Sequence, residues 1–337
     1  MSSSIEDTET EMTLTVLGCG TMGIAILSGI LSSLGTPETL KPIPKTTSKT
    51  TTPVYPTSPH ARLPSKFIAC VRRPESAKKV HQALSPFLTS SPTSLTILQN
   101  NNVSAVQQAD IVLLSCKPYM VKEILSEPGM GQALTGKLLI SICAGITIEQ
   151  LYSELFTEQT KGLTDIASAS NPCTIVRAMP NTASQIRESM TVIGTSTPPL
   201  PEPTTALITW IFTRIGEVVF LPPSTMDACT ALCGSGPAFF ALMLEATIDG
   251  AVAMGLPRTE AQKMAAQTMR GAAGLVLSGE HPALLRDKVS TPGGCTIGDF
   301  GSGRREGEGH GGEGGEGSDG CGGAIGEGGV GVNGTRF

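Results

Sequence analysis

Met12-Thr13-Leu14-Thr15-Val16-Leu17-Gly18-Cys19-Gly20-Thr21-Met22-Gly23-Ile24-Ala25-Ile26-Leu27-Ser28-Gly29-Ile30-Leu31 decides the fold. Its first six residues are apolar or β-branched, as a buried strand requires. Residues 18–23 form a turn, and an apolar helix opens behind it. Glycines at this spacing, directly between strand and helix, mark a dinucleotide-binding turn. Each glycine has a separate duty. Gly18 permits the tight turn, Gly20 lets a pyrophosphate approach the backbone, and Gly23 lets helix and strand pack closely. The helix start adds free N–H groups and a partial positive charge. The expected phosphate loop is therefore Gly18, Cys19, Gly20, Thr21, Met22 and Gly23.

Working outward, Lys66-Phe67-Ile68-Ala69-Cys70-Val71 reads as a second strand, with a helix expected over Glu75–Leu84. The tip of this strand normally selects the nicotinamide: an acid binds the ribose 2′-hydroxyl, a base accepts a 2′-phosphate. Arg72 and Arg73 stand there, which points to NADPH, with NADH as the alternative. Residues 35–65 are rich in Thr, Ser and Pro. Proline removes donors and fixes φ, so this stretch reads as a loop insertion. Asp110–Cys116, Lys137–Cys143 and Thr174–Met179 are short runs apolar on both faces, as central parallel strands are. After about residue 200, Thr204–Ile215, Met226–Gly255 and Arg258–Gly279 read as helices rich in Ala, Leu and Met. Their apolar surface is too large for water and calls for a second subunit. The fold class is α/β: an N-terminal Rossmann-type doubly wound sheet followed by an all-α dimerisation domain. The expected bounds are 12–200 for the first domain and 201–298 for the second. From Gly301 to Phe337, 17 of 37 residues are glycine, with no apolar period. Segment 299–337 is therefore expected to be a disordered or aberrant tail, of the kind a shifted reading frame produces.

Composition excludes some classes. Aromatic residues make up 4%, with Trp210 the single tryptophan, and the net charge is −5. With no dense Lys/Arg run, a nucleic-acid partner is not expected. Glu6, Asp7, Glu9 and Glu11 precede the first strand, against a targeting leader, so the cytoplasm is the expected compartment. No apolar run is expected to approach the roughly 20 residues of a membrane span. Nine cysteines are scattered without a CxxC pair. Cys229 and Cys233 are four apart but lack a His or second Cys pair, so no metal is expected and free thiols are the reading.

Five further strings carry chemistry: Cys116-Lys117-Pro118, Cys143-Ala144-Gly145, Met179-Pro180-Asn181-Thr182, Gly234-Ser235-Gly236-Pro237-Ala238 and Ser290-Thr291-Pro292-Gly293-Gly294-Cys295-Thr296. The first three end parallel strands, where ligands of open α/β sheets bind. In order and spacing the chain resembles the pyrroline-5-carboxylate reductase family from about Met12 to Ile297. The most specific marker is Asp287 to Thr296, preceded by Cys233 to Ala238.

That resemblance implies reduction of 1-pyrroline-5-carboxylate to L-proline with NAD(P)H, the last step of proline biosynthesis. It also implies roles. Arg72 or Arg73 meets the 2′-phosphate, and Asn102 meets a cofactor ribose. Lys117 and Pro118 lie beside the cofactor, Cys143, Ala144 and Gly145 wall the nicotinamide, and Asn181 belongs to the same side. Lys288, Ser290, Thr291, Gly293 and Gly294 form the substrate loop, and Thr296 is the catalytic threonine. The family forms homodimers or higher homo-oligomers and builds its site from the Rossmann half of one subunit and the helical half of its mate. Family members continue with further helices where Asp299-Phe300 here gives way to the glycine-rich tail.

The chemistry agrees. A protonated cyclic imine is already electrophilic, so orientation supplies much of the barrier reduction. The hydride comes from a cofactor, and no side-chain nucleophile is needed. A Pro-Gly-Gly turn offers N–H donors to the carboxylate. The Thr296 hydroxyl can bond the ring nitrogen or cap the next helix. Two other readings remain open on the residues. One is a β-hydroxyacid or ketopantoate reductase, which would need a Lys or Glu acid on a central helix; residues 226–255 hold Glu245 and Asp249 but no Lys. The other is a non-catalytic nucleotide-binding protein without its C-terminal helices.

Overall fold

In the computed structural model, which describes residues 11–34, 63–88, 93–155 and 173–291, β1 (Met12–Leu17) runs through the glycine turn into α1 (Thr21–Leu34). Then follow β2 (Pro64–Val71), α2 (Pro74–Leu88), β3 (Ser94–Gln99), α3 (Asn102–Gln107) and β4 (Ile111–Leu114). Next come α4 (Val121–Leu125), α5 (Met130–Leu134), β5 (Leu138–Ser141), α6 (Ile148–Leu155), β6 (Thr174–Met179) and β7 (Ser189–Gly194). The chain continues with α7 (Glu202–Thr213), β8 (Gly216–Leu221), α8 (Met226–Cys229), α9 (Gly236–Ala253), α10 (Arg258–Leu277) and α11 (Pro282–Val289).

The eight strands lie in the order β3-β2-β1-β4-β5-β6-β7-β8. All neighbours are parallel except β6 and β7. This is the doubly wound order, and the reversal between β1 and β4 opens the crevice where ligands bind. Strand residues alternate between two cores. Leu14, Val16, Phe67, Ala69, Leu113 and Ile140 face one layer with Ile26, Ile30 and Phe212 of α1 and α7. Leu17, Ile68, Val112, Leu114 and Leu139 face the other with Val106, Leu125, Leu134 and Leu151. Burial on both faces is why these strands read as continuous apolar runs.

Several expectations need correction. Strands β3, β7 and β8 are not anticipated by the pattern. β3 is an edge strand without a fully buried residue, so its apolar signal is diluted. The all-helical half does not begin at residue 201: α7 packs on the first core and β8 extends the sheet beside β7. Among the described residues the chain divides into two compact units, the first running through Pro237 and the second starting at Ala238. The helix expected over Met226–Gly255 is interrupted by a π-helical turn at Thr230–Gly234, which separates α8 from α9. Pro64 and Ser65 belong to β2 and not to the insertion, whose remaining bulk (35–62) lies outside the described residues, as does the 299–337 tail.

Among the described residues, one helical stretch that begins before residue 238 passes for a membrane span by length and composition alone. Pro223–Ala253 is long and apolar enough to cross a bilayer, with a mean hydropathy of 1.4 over its best window. Counting unbroken runs misses it, because Gly, Ser and Thr interrupt the stretch without making it polar on average. Phe239, Phe240, Leu242 and Met243 on α9 are all more than half exposed, and α10 adds Met264 and Leu277.

Candidate functional site

The glycine turn has the geometry its spacing demands. Gly18 adopts φ +72°, and a Cβ there would lie 2.6 Å from Cys116 Cβ, so strand β4 ends directly against the turn. Ser115 locks the approach: its N–H donates to Leu17 O at 2.9 Å and its hydroxyl to Gly18 O at 3.0 Å. A Cβ on Gly23 would meet Ser115 Oγ at 2.9 Å and Val16 Cγ1 at 3.0 Å, which is the close helix–strand packing. A Cβ on Gly20 would have only Gly18 O near it, at 3.9 Å, so this position opens outward. The first α1 bond runs from Ile24 N to Gly20 O, leaving the Thr21, Met22 and Gly23 N–H groups ahead of it without intrahelical partners. The cradle therefore fits a pyrophosphate.

Cys19 contributes differently. Its N–H donates to Cys70 O at 2.9 Å and its side chain is buried, so it fixes the turn and offers the ligand neither group. Burial, with Cys70 beside it, pushes its thiol up to about 12. Arg72 and Arg73 are exposed just past β2, with the Arg73 carbonyl accepting the first N–H groups of α2. Asn102 sits half-buried on the first turn of α3, and its Nδ2 donates to Glu127 Oε1 at 2.5 Å. Lys117 is exposed at the end of β4, and Pro118 opens a 3-10 turn, Pro118–Met120.

Behind Lys117, Cys116 and Cys143 place their sulfurs 3.9 Å apart. The Cys143 thiol donates to Cys116 O at 3.4 Å and Leu114 O at 3.6 Å. The Cys143 contact and burial together push the Cys116 thiol up. Ala144 and Gly145 follow on an exposed turn, with Gly145 at φ +73°. Asn181 is occupied structurally: Oδ1 accepts from Ala183 N and Nδ2 donates to Cys233 O, each at 3.0 Å. It ties the end of β6 to the π-helical turn. The 3-10 helix it caps, Thr182–Ile186, brings Ser184 Oγ to 3.6 Å from Met22 Sδ, so this loop borders the phosphate cradle.

The substrate-side residues fall in the second unit. Lys288 Nζ is held by Glu280 at 2.6 Å, and the Ser290 hydroxyl donates to Arg286 O at 2.8 Å as α11 ends. Thr291 is exposed beyond it. Gly293, Gly294 and Thr296 lie outside the described residues. Two contributors are not legible from the sequence pattern: Ser115, which locks the turn, and Glu127, which holds Asn102. Ser115 ends an anticipated strand, a position that could have flagged it. Glu127 carries no local signal.

Comparison with known proteins adds the following. Residues 223–301 match the family described as pyrroline-5-carboxylate reductase dimerisation. Residues 56–145 match the family described as NADP oxidoreductase, coenzyme F420-dependent. The chain is 58% identical over 329 residues to a pyrroline-5-carboxylate reductase of Lophium arboricola, covering 97% of each chain. It is 60% identical over 299 residues to that of Neurospora crassa, covering 86% of this chain and 85% of the other. A solved structure of Plasmodium falciparum pyrroline carboxylate reductase with NADP bound shares the fold at a TM-score of 0.60 and 22% identity, covering 87% of this chain and 89% of that one.

Proposed function

The chain belongs to the pyrroline-5-carboxylate reductase family, and we propose that it reduces 1-pyrroline-5-carboxylate to L-proline with NADPH held on the Gly18–Gly23 turn, as the last step of proline biosynthesis. The observation that carries this is the cradle itself: a turn open above Gly20 and closed beneath Gly18 and Gly23, set at the β1/β4 switch point. NADPH, when bound, supplies the hydride. The chain's own residues bind and orient. The α1 N–H groups face the phosphates. Arg72 and Arg73 suit a 2′-phosphate because a guanidinium pairs with phosphate in bidentate geometry. Asn102 serves a ribose, and Lys117, Pro118, Cys143, Ala144 and Gly145 border the nicotinamide side. Asn181 supports that wall, since both ends of its amide are already bonded.

On the substrate side, the N–H groups of Gly293 and Gly294 hold the carboxylate and the Thr296 hydroxyl orients the ring nitrogen. Lys288, Ser290 and Thr291 shape the approach to that loop. The apolar helices from Ala238 onward meet a second copy of the chain, giving a homodimer or larger homo-oligomer. The match of residues 223–301 to a dimerisation family supports a partner helix over lipid as their apolar surroundings. The cytoplasm suits the free thiols.

The cofactor preference is tested by comparing turnover with NADPH and NADH in the wild type and in Arg72→Ala/Arg73→Ala. The double variant should lose roughly tenfold or more of its NADPH preference, the worth of a charge-assisted bond. An unchanged ratio would reject the role of both arginines.

A further inference from the structure

Glu127 lies in the turn between α4 and α5 and belongs to none of the motifs of the cofactor site. Its carboxylate nevertheless accepts from Asn102 Nδ2 at 2.5 Å, across 25 residues. The turn is held where it must be: Met130 N donates to Glu127 O at 3.0 Å, Gly129 takes φ +87°, and its open side faces Val103 Cγ1. Glu127 also stands close to the tip of β2. The Cys70 thiol is pushed up to about 12, first by burial and then by the Glu127 charge. Cys70 lies in β2, the strand that ends just before Arg72.

An asparagine amide can present either its oxygen or its NH2 to a ligand. A carboxylate accepts only, so Glu127 fixes the choice: Nδ2 is drawn inward and Oδ1 is left as an acceptor for a second partner. We propose that Glu127 is a positioning residue for cofactor binding, setting the Asn102 amide so that its oxygen receives a ribose hydroxyl. This rests on the reading that Asn102 contacts the cofactor ribose. The ligand-side group is thus a hydroxyl donor.

The test uses the full chain and four forms: wild type, Glu127→Gln, Asn102→Ala and the double variant. NADPH Kd, kcat at saturating cofactor and Tm are measured for each. Glu127→Gln keeps the shape but lets the Asn102 amide turn over. It should raise the NADPH Kd roughly three- to tenfold with kcat unchanged, the scale of one neutral hydrogen bond. It should add nothing on the Asn102→Ala background. If Asn102→Ala raises Kd and Glu127→Gln does not, the positioning role is overturned while the ribose contact stands. If Asn102→Ala leaves Kd unmoved, the ribose reading fails and this inference with it. Additive effects, or a lowered Tm and kcat with Kd unmoved, would make Glu127 merely structural and overturn the proposal.

Discussion

Helices α1 and α9 are both apolar, yet they solve opposite problems. α1 buries seven of its fourteen residues against the sheet, including Ile26, Leu27, Ile30 and Leu31. α9 buries only Gly236 of eighteen. The glycines tell the same story. In the first unit, a Cβ on Gly18 or Gly23 would strike atoms of this chain, whereas at Gly271 and Gly274 in α10 it would meet nothing within 4 Å. The first unit is therefore explained by its own contacts. The second carries apolar and small residues whose purpose lies in a partner, as its match to a dimerisation family indicates.

The contrast breaks first at Gly18. Gly18→Ala would force a side chain into a left-handed backbone, costing about 1–2 kcal/mol, and push it onto Cys116, costing about 1–3 kcal/mol more. Urea unfolding should show a loss of about 3 kcal/mol, with cofactor binding abolished. A stability within about 0.5 kcal/mol of wild type, the usual range for a neutral surface change, would contradict the cradle geometry. Gly274→Ala gives the matching control: no steric penalty arises within the chain.

The second unit is broken by charge. Leu242 is 65% exposed in the single chain, so Leu242→Glu would be nearly neutral there. Against a partner helix it buries an unpaired carboxylate. Sedimentation velocity should show dissociation to monomers at concentrations where the wild type is a dimer, with at least roughly a tenfold weaker association. Unchanged association would leave the exposed face of α9 without its expected partner.

The smallest effect concerns the interior thiols. Cys19, Cys70 and Cys173 are buried neutral and pushed up to about 12 from an ordinary 9.0. A raised acid binds its proton more tightly in the folded state, so its stabilisation is complete below pH 9 and lost as the pH climbs toward 12. Stability should decline across that alkaline window and not below it. At pH 8, peptide mapping after iodoacetamide should find half-exposed Cys233 modified ahead of these three. Equal labelling would mean the first unit opens more readily than its packing implies.

The same contrast sets how much the sequence discloses. Gly18, Gly20 and Gly23 were readable because one spacing carries three constraints at once. The runs at Ile111–Leu114 and Leu138–Ser141 were readable because burial on both faces leaves no polar alternative. β3 was not, since half-exposed Ser94–Gln99 could be strand or loop by composition. β8 was hidden because a helical stretch precedes it and another follows. Glu127 was invisible for a different reason: its partner is brought to it by the sheet and not by any local period. Arg72 and Arg73 stand at the expected strand tip, whereas Asn181, which its string points to, is a clamp between β6 and the π-helical turn.

The most direct test is chemical. The purified full chain is mixed with NADPH and 1-pyrroline-5-carboxylate, and cofactor oxidation and L-proline are quantified together. Equimolar NADPH loss and L-proline gain, absent without the imine, is the expected result. NADPH that binds tightly but is never oxidised at any imine concentration would contradict the assignment and leave a dinucleotide-binding protein without turnover.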